Sequence, residues 1–319
     1  MTPAIRRSLV IALVIGLLVV IGLGLMSDLR SVGAGFARFD LALLPLVLGF
    51  TILNYVLRWA KWELYLRATG MGNGVSRGAS GLLFTAGMVM AVTPAKVGEV
   101  LKSSLLRRIN GTPISVSAPV VLAERLTDGI AMLLLMSVGL TLYPPAQPLF
   151  LVLLVLAVGG LALLQWQTGM SRAFALAGTL PGGARIAPQL KTAYASTRQL
   201  LGPQLLAGAI LISVVSWFGE CIAFYYVLRG LGAEPGVTLL IVATFVFAAS
   251  TLFGLVSFLP GGLGASEASS AALLILLVPL ASGPATTATI IIRICTLWFG
   301  VALGALALAA FSRRYPARE

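Results

Sequence analysis

The feature that most constrains this chain is a succession of apolar runs, each near twenty residues long, separated by short charged or Pro/Gly-rich stretches. The clear runs lie at 8–26, 41–62, 114–140, 148–167, 203–228 and 285–311. A helix of about 20 apolar residues rises about 30 Å, enough to cross the hydrocarbon core of a bilayer. In lipid each backbone N–H and C=O must be satisfied within the segment, which favours helices for runs of this length. Of the 319 residues 59% are hydrophobic and 10% are charged, where a soluble domain carries about 25% charged residues. The expectation is one all-α polytopic membrane domain over residues 1–319.

Regions 78–106 and 238–280 differ, because each holds two shorter apolar pieces split by a break. The breaks read TPAKVGE (Thr93 to Glu99) and LPGGLGASE (Leu259 to Glu267). The pieces at 78–92 and 95–106 are too short to span about 30 Å at about 1.5 Å per residue. They predict a re-entrant helical hairpin in preference to two short spans. The second region, with its longer arm at 238–258, constrains that choice less.

Lys and Arg accumulate at the cytoplasmic ends of membrane segments. Arg6 and Arg7 precede the first run, which is longer than a signal-peptide core and reads as a retained span. Placing these arginines inside also places Lys61, Arg67, Arg77, Arg107 and Arg108 inside, and the segment 61–77 becomes a cytoplasmic connection. Arg313, Arg314 and Arg318 bring the C-terminus to the same side. The first hairpin then enters from the cytoplasm and the second from outside. This is the geometry of an inverted-topology repeat, with halves at 41–140 and 203–311. An amphipathic cytoplasmic connector at 168–202, turning at Pro181–Gly183, joins them. The expected architecture is about six full spans plus two re-entrant hairpins in the plasma (inner) membrane.

Recurrent spacings favour duplication. Pro94 precedes Gly98 as Pro260 precedes Gly264, and 26 residues separate Glu99 from Arg125 and Glu267 from Arg293. Arg67 and Arg229, 162 residues apart, each end a helix before a glycine-containing turn.

The net charge of +12 does not point to nucleic acid, because the arginines flank apolar runs and form no single patch. There is no histidine, and Cys221 and Cys295 sit alone within apolar segments. They read as packing thiols, and no metal or cofactor is expected.

The chemistry lies in charges that fall inside the apolar runs. Glu124, Arg125 and Asp128 sit deep in one helix at spacings of three and four, which share a face. Glu220 and Arg293 lie within two others, and Glu99 and Glu267 at the breaks. A single charge at the centre of a membrane helix costs roughly 2.5–3.5 kcal/mol on insertion scales. Such residues must pair, face the bundle interior or line water. Two readings follow: ion pairs Glu99–Arg125 and Glu267–Arg293 that lock each hairpin to the next helix, or a polar cavity for a charged head group. Gly261, Gly262 and Gly264 allow close backbone approach, and the exposed N–H groups after the break suit an anion; the alternative is a tight turn that needs glycine for geometry. Lys96 adds a positive charge beside the first break, or snorkels to the surface. Arg58, beside Trp59, Trp62 and Tyr65, reads as part of an interfacial belt.

The stretches TPAKVGEVLKSSLLRR, ERLTDG and LPGGLGASEA, in this order, resemble the membrane region of lysylphosphatidylglycerol synthases, a flippase-like family. The likeness extends over about residues 10–312. It implies a lipid-handling role in which a head group moves between leaflets. Glu99, Glu124, Arg125, Asp128, Pro260, Gly261, Gly262 and Glu267 match the recurrent positions of the motifs. The chain ends at Glu319, soon after its last apolar run, so the resemblance covers the membrane region without the soluble aminoacyl-transferase domain and does not imply synthase activity.

The expected function is that of a flippase and not of an enzyme, moving a phosphate-bearing lipid by alternating access. That lipid would be a phospholipid, an aminoacyl-phospholipid or a polyprenyl phosphate. The alternatives are an intramembrane lipid-modifying enzyme or an accessory subunit of a lipid or glycan synthase. Expected partners are membrane lipids, with a second copy or such a synthase as further options, and no nucleic acid.

Overall fold

The computed structural model describes residues 29–93, 97–179, 183–278 and 280–316. The expected first span at 8–26 lies outside the described residues, as do Pro94 to Lys96 in the first break. Among the described residues the fold is all-α. In chain order the helices are α1 (Leu29–Arg38), α2 (Leu44–Ala68), α3 (Arg77–Gly87), α4 (Leu101–Asn110), α5 (Ile114–Ser137) and α6 (Gln147–Gln165). There follow α7 (Gln167–Thr179), α8 (Gly183–Leu200), α9 (Pro203–Gly230), α10 (Val237–Val256), α11 (Ala265–Leu277), α12 (Ser282–Arg293) and α13 (Phe299–Arg314).

Among the described residues five segments are long and apolar enough to cross a membrane: Leu41–Ala68, Pro144–Gln165, Pro203–Gly230, Val237–Val256 and Ser282–Arg314. The last joins α12 and α13 through a π-turn, Ile294–Trp298. Helix α5 has the length, and its three central charges keep it out of this apolar set. Conversely, α10, the longer arm of the second broken region, is by itself long enough to span.

One boundary corrects the sequence reading. Segment 61–77 reads as a cytoplasmic connection, but α2 continues to Ala68, and Lys61 is 1% exposed within it. The stretch Lys61 to Leu66 presents Trp62, Tyr65 and Leu66 to the interior. Tertiary burial of that face keeps the helix going past the first charge.

Helices α2 and α9 make the most extensive helix–helix contact in the bundle among the described residues. Leu41–Ala68 and Pro203–Gly230 are both 28 residues long and are offset by 162. Each ends in the same way: Gly70 and Gly232 are left-handed and donate their N–H to the carbonyls of Arg67 and Arg229. The two helices run antiparallel, since Phe50 stacks on Tyr226, Asn54 meets Ser216 and Lys61 meets Ser213. Asn54 and Ser216, themselves 162 apart, bond side chain to side chain at 2.9 Å. Equivalent residues that touch mark the point where a two-fold axis relating the helices would pass.

Packing elsewhere follows the same exchange. Helix α5 packs on α10, and α13 packs on α3. Both crossings are close because a glycine faces the partner, Gly139 against Phe245 and Gly304 against the backbone of Val89. Small residues let membrane helices approach to backbone contact.

The apolar core is split. One cluster contains Val47 of α2, Ala131, Met132 and Met136 of α5 and Cys221, Phe224 and Leu228 of α9. The other contains Trp62, Tyr65 and Leu66 of α2, Val120 and Ala123 of α5 and Ala209 of α9. The stretch of each helix between its two apolar contributions carries the polar and charged residues. A polar layer therefore lies between two apolar ones, near the midpoints of the long helices.

A Cβ on residue 304 would stand 2.4 Å from the Val89 nitrogen, whereas residue 49 faces open space. Gly304→Ala is expected to destabilise the purified protein by roughly 1–3 kcal/mol. Gly49→Ala is expected to be neutral or stabilising; thermal unfolding in detergent compares the two.

Candidate functional site

The polar layer is an almost continuous chain of ion pairs. Glu99, at the start of the second half of the first broken region, faces three cations: Arg125 at 3.4 Å, Lys102 at 3.7 Å and Arg58 at 3.9 Å. Lys102 also contacts Glu124 at 2.5 Å, and its ammonium lies over the rings of Trp62 and Phe84. Arg125 reaches Asp128 at 3.0 Å, and Asp128 takes Lys61 at 2.5 Å. Thr127 and Ser213 hydroxyls complete the shell of the Lys61 ammonium. Glu124, Lys61 and Lys102 are all at most 2% exposed. Each charge lost from water is thus compensated by a neighbour, the condition under which buried charges persist.

The second broken region makes a separate pair. Arg293 donates from Nε to Glu267 at 2.5 Å and from Nη2 to the Gly261 carbonyl at 2.8 Å. The other Glu267 oxygen accepts the Gly264 N–H at 2.7 Å, so Glu267 caps its own helix. This corrects one expectation. The helix start after LPGGLG is occupied by an internal carboxylate in place of an anionic ligand, as in a capping box.

The glycines are there for geometry. Gly261, Gly262 and Gly264 all have positive φ, of 61°, 68° and 87°. Side chains are strained in that region, which glycine enters freely. A Cβ on residue 261 would also press within 3.3 Å of the Val92 Cα, so the tips of the two broken regions meet backbone to backbone.

Two cavities adjoin the charged layer. The larger, about 100 Å³, is walled by Asn54, Arg58, Glu99, Lys102, Glu220 and Arg293 among others. The smaller, about 60 Å³, is walled by Arg125, Asp128, Gly261, Gly262 and Arg293. Trp217, Thr251, Ser266 and Arg293 belong to both walls. The larger cavity also shares Tyr55, Phe84 and Met88 with a lateral groove of about 560 Å³. That groove is lined by Ile52, Val56, Trp59, Leu82, Leu303 and Ala307, with Arg77 on its wall. The Tyr55 hydroxyl bonds the Thr296 carbonyl, which belongs to the π-turn just beyond Arg293. π-Turns free backbone groups in this way and are frequent at functional positions.

Most of the residues singled out from sequence gather here: Glu99, Glu124, Arg125, Asp128, Glu220, Glu267, Arg293, Gly261 and Gly262. Gly264 serves the cap, and Lys96 lies outside the described residues. The structure brings in others. Arg58 is no surface anchor: its guanidinium lies 5.6 Å from the Trp217 ring centroid inside the cavity wall. Lys61, Lys102, Asn54, Ser213 and Trp217 also join the layer. For Lys102 the available signal was its spacing of three from Glu99, which puts both on one helix face. Cys221 and Cys295 are buried free thiols, as expected of packing residues.

A family model for the lysylphosphatidylglycerol synthase TM region matches residues 11–304. The chain belongs to this family. A UPF0104 membrane protein of Methanothermobacter thermautotrophicus is 27% identical over 226 residues. That alignment covers 66% of this chain and 66% of the relative, so the chain spans just under two thirds of the relative's length. The family is a membrane domain of lysylphosphatidylglycerol synthase-type proteins, which agrees with the multi-pass helical fold.

Within the layer, Arg125 is held between Glu99 and Asp128, whereas the Glu63–Arg67 pair is a surface contact with Arg67 58% exposed. Arg125→Ala is expected to destabilise by about 1–3 kcal/mol, since Glu99 and Asp128 each lose one cation and keep others. Arg67→Ala is expected to change stability by about 0–1 kcal/mol. Thermal unfolding of the two variants against the parent measures the difference.

Proposed function

We propose that this protein is a lipid translocase that moves a phosphate-bearing lipid between leaflets. The observation that carries the reading is a charged cavity lying beside an apolar side groove, with Tyr55, Phe84 and Met88 in the walls of both. An amphiphile has the matching shape. Its phosphate would meet Arg58 and Arg293 in the cavity, and its chain would lie along Ile52, Val56, Leu82 and Leu303. The layer beneath, with Arg125, Lys61 and Lys102 already paired, supplies a rigid floor.

In this reading the two broken regions are re-entrant hairpins that enter from opposite faces, with both termini cytoplasmic in the plasma membrane. Rocking of one half against the other about the α2–α9 contact would expose the cavity to one leaflet at a time. The protein would carry lipid without altering it, because Glu99, Glu124, Asp128 and Glu267 are held by cations and are poorly placed to act as general acid or base. Membrane lipids are its partners.

Purified protein in liposomes with a fluorescent phospholipid tests this by reagent accessibility. Parent protein is expected to speed lipid exchange between leaflets. Arg58→Gln with Arg293→Gln is expected to return the rate to the protein-free background. Gly81→Trp, which fills the groove from a position with room for a side chain, is expected to do the same while leaving thermal stability intact. Parent-like exchange by both variants would reject the reading.

A further inference from the structure

One buried carboxylate stands outside the chain of ion pairs. Glu220 is 1% exposed near the middle of α9, and it lines the larger cavity. The Thr51 hydroxyl donates to its Oε2 at 3.3 Å. Among the described residues no Lys or Arg nitrogen lies within 4.0 Å of it. Glu220 thus has a hydroxyl donor and no cation at contact distance, unlike Glu99 and Asp128.

The groups around it can be named helix by helix. From α2 come Arg58, whose charge acts on Glu220 across the cavity, and Tyr55. Cys221 adjoins it on its own helix, and Cys295 faces it from the π-turn. Glu99 and Lys102 share its cavity wall, and helix α5, which packs on α9, carries Glu124, Arg125 and Asp128, all engaged in pairs. Helix α12 brings Arg293, paired with Glu267, and α10 carries no charged residue.

Charge balance gives Glu220 its meaning. Among the described residues the connected layer holds four cations, Arg58, Lys61, Lys102 and Arg125, against three carboxylates, Glu99, Glu124 and Asp128. Among these described residues the cations exceed the carboxylates by one. Arg58 has the longest contact of the set, and its Nε has no hydrogen-bond partner. An ionised Glu220 cancels the excess; a protonated one leaves it to Arg58, at the cavity wall. An anionic ligand would then restore the balance.

We propose that Glu220 is a proton-binding site linked to anion binding at Arg58. The cavity holds either the Glu220 carboxylate and no ligand, or protonated Glu220 together with a monoanionic phosphodiester. One proton from water joins a carboxylate oxygen as one monoanion enters, no other bond changes, and the charge of the site is conserved. Lipid and proton would therefore move in the same direction. The inference rests on the reading of the cavity as a head-group site.

The test uses purified full-length protein in neutral maltoside micelles, titrated with short-chain phosphatidylglycerol across pH. Infrared absorption of the protonated carboxyl reads Glu220, and tryptophan fluorescence reads lipid binding. The parent is expected to show a titrating carboxyl band whose midpoint rises on lipid addition, with lipid affinity falling about tenfold per pH unit above that midpoint, as one linked proton requires. Glu220→Gln is expected to lose the band and to bind lipid with no pH dependence. Thr51→Val, which removes a donor to the carboxylate, is expected to raise the midpoint while still binding lipid. A parent band that persists in Glu220→Gln, or lipid binding whose pH dependence Glu220→Gln leaves unchanged, overturns the proton site alone. Absence of lipid binding to the parent at every pH overturns the head-group reading and the linkage with it.

Discussion

Everything in this fold answers to the problem of keeping charge inside a membrane, and Glu99 is where the problem is solved. Three cations from three elements converge on one carboxylate: Arg58 from α2, Lys102 from α4 and Arg125 from α5. None of these helices could carry its charge alone at that depth without a penalty of several kcal/mol. Together they form a nearly neutral layer. Helix association here needs no hydrophobic drive, since lipid is as apolar as the side chains; directional polar contacts and close packing supply it.

The same layer explains why the apolar core comes in two clusters. Trp62 and Met136, for example, belong to opposite clusters on helices that both cross the polar stratum. Dry packing on either side isolates the charges from water and fixes their partners. Two small cavities lie where the stratum meets the broken regions, because a broken helix leaves backbone that must face protein or a polar space. The candidate site is thus a by-product of where the helices are interrupted, not an addition to the bundle.

Much of this could be read from the chain. The 26-residue spacing of Glu99 from Arg125 and of Glu267 from Arg293 pointed to pairs that the structure contains. The offset between Arg67 and Arg229 extends to whole helices and to the glycines that end them. What escaped the sequence reading was burial produced by distant partners. Lys61 looks like the end of a span because hydropathy falls there. Its burial depends on Asp128 and Ser213, 67 and 152 residues away. Arg58 looks like a belt residue because aromatic neighbours usually mean an interface. Here the ring that matters is Trp217, from another helix. At the second break, glycines followed by a helix start suggest an anion site, but local sequence did not reveal that Glu267 would turn back and fill it.

The contact between Gly261 and Val92 has a mechanical meaning. Side chains at an interface can change rotamer and let two bodies slide; two backbones in van der Waals contact cannot. The tips of the two broken regions approach so closely that a side chain at residue 261 would crowd the Val92 backbone. Arg293 adds to this by gripping the Gly261 carbonyl from the rim of a π-turn, a stretch of helix already wound loosely. The second tip is thereby tethered to α12, as Glu99 at the first is tethered to Arg125.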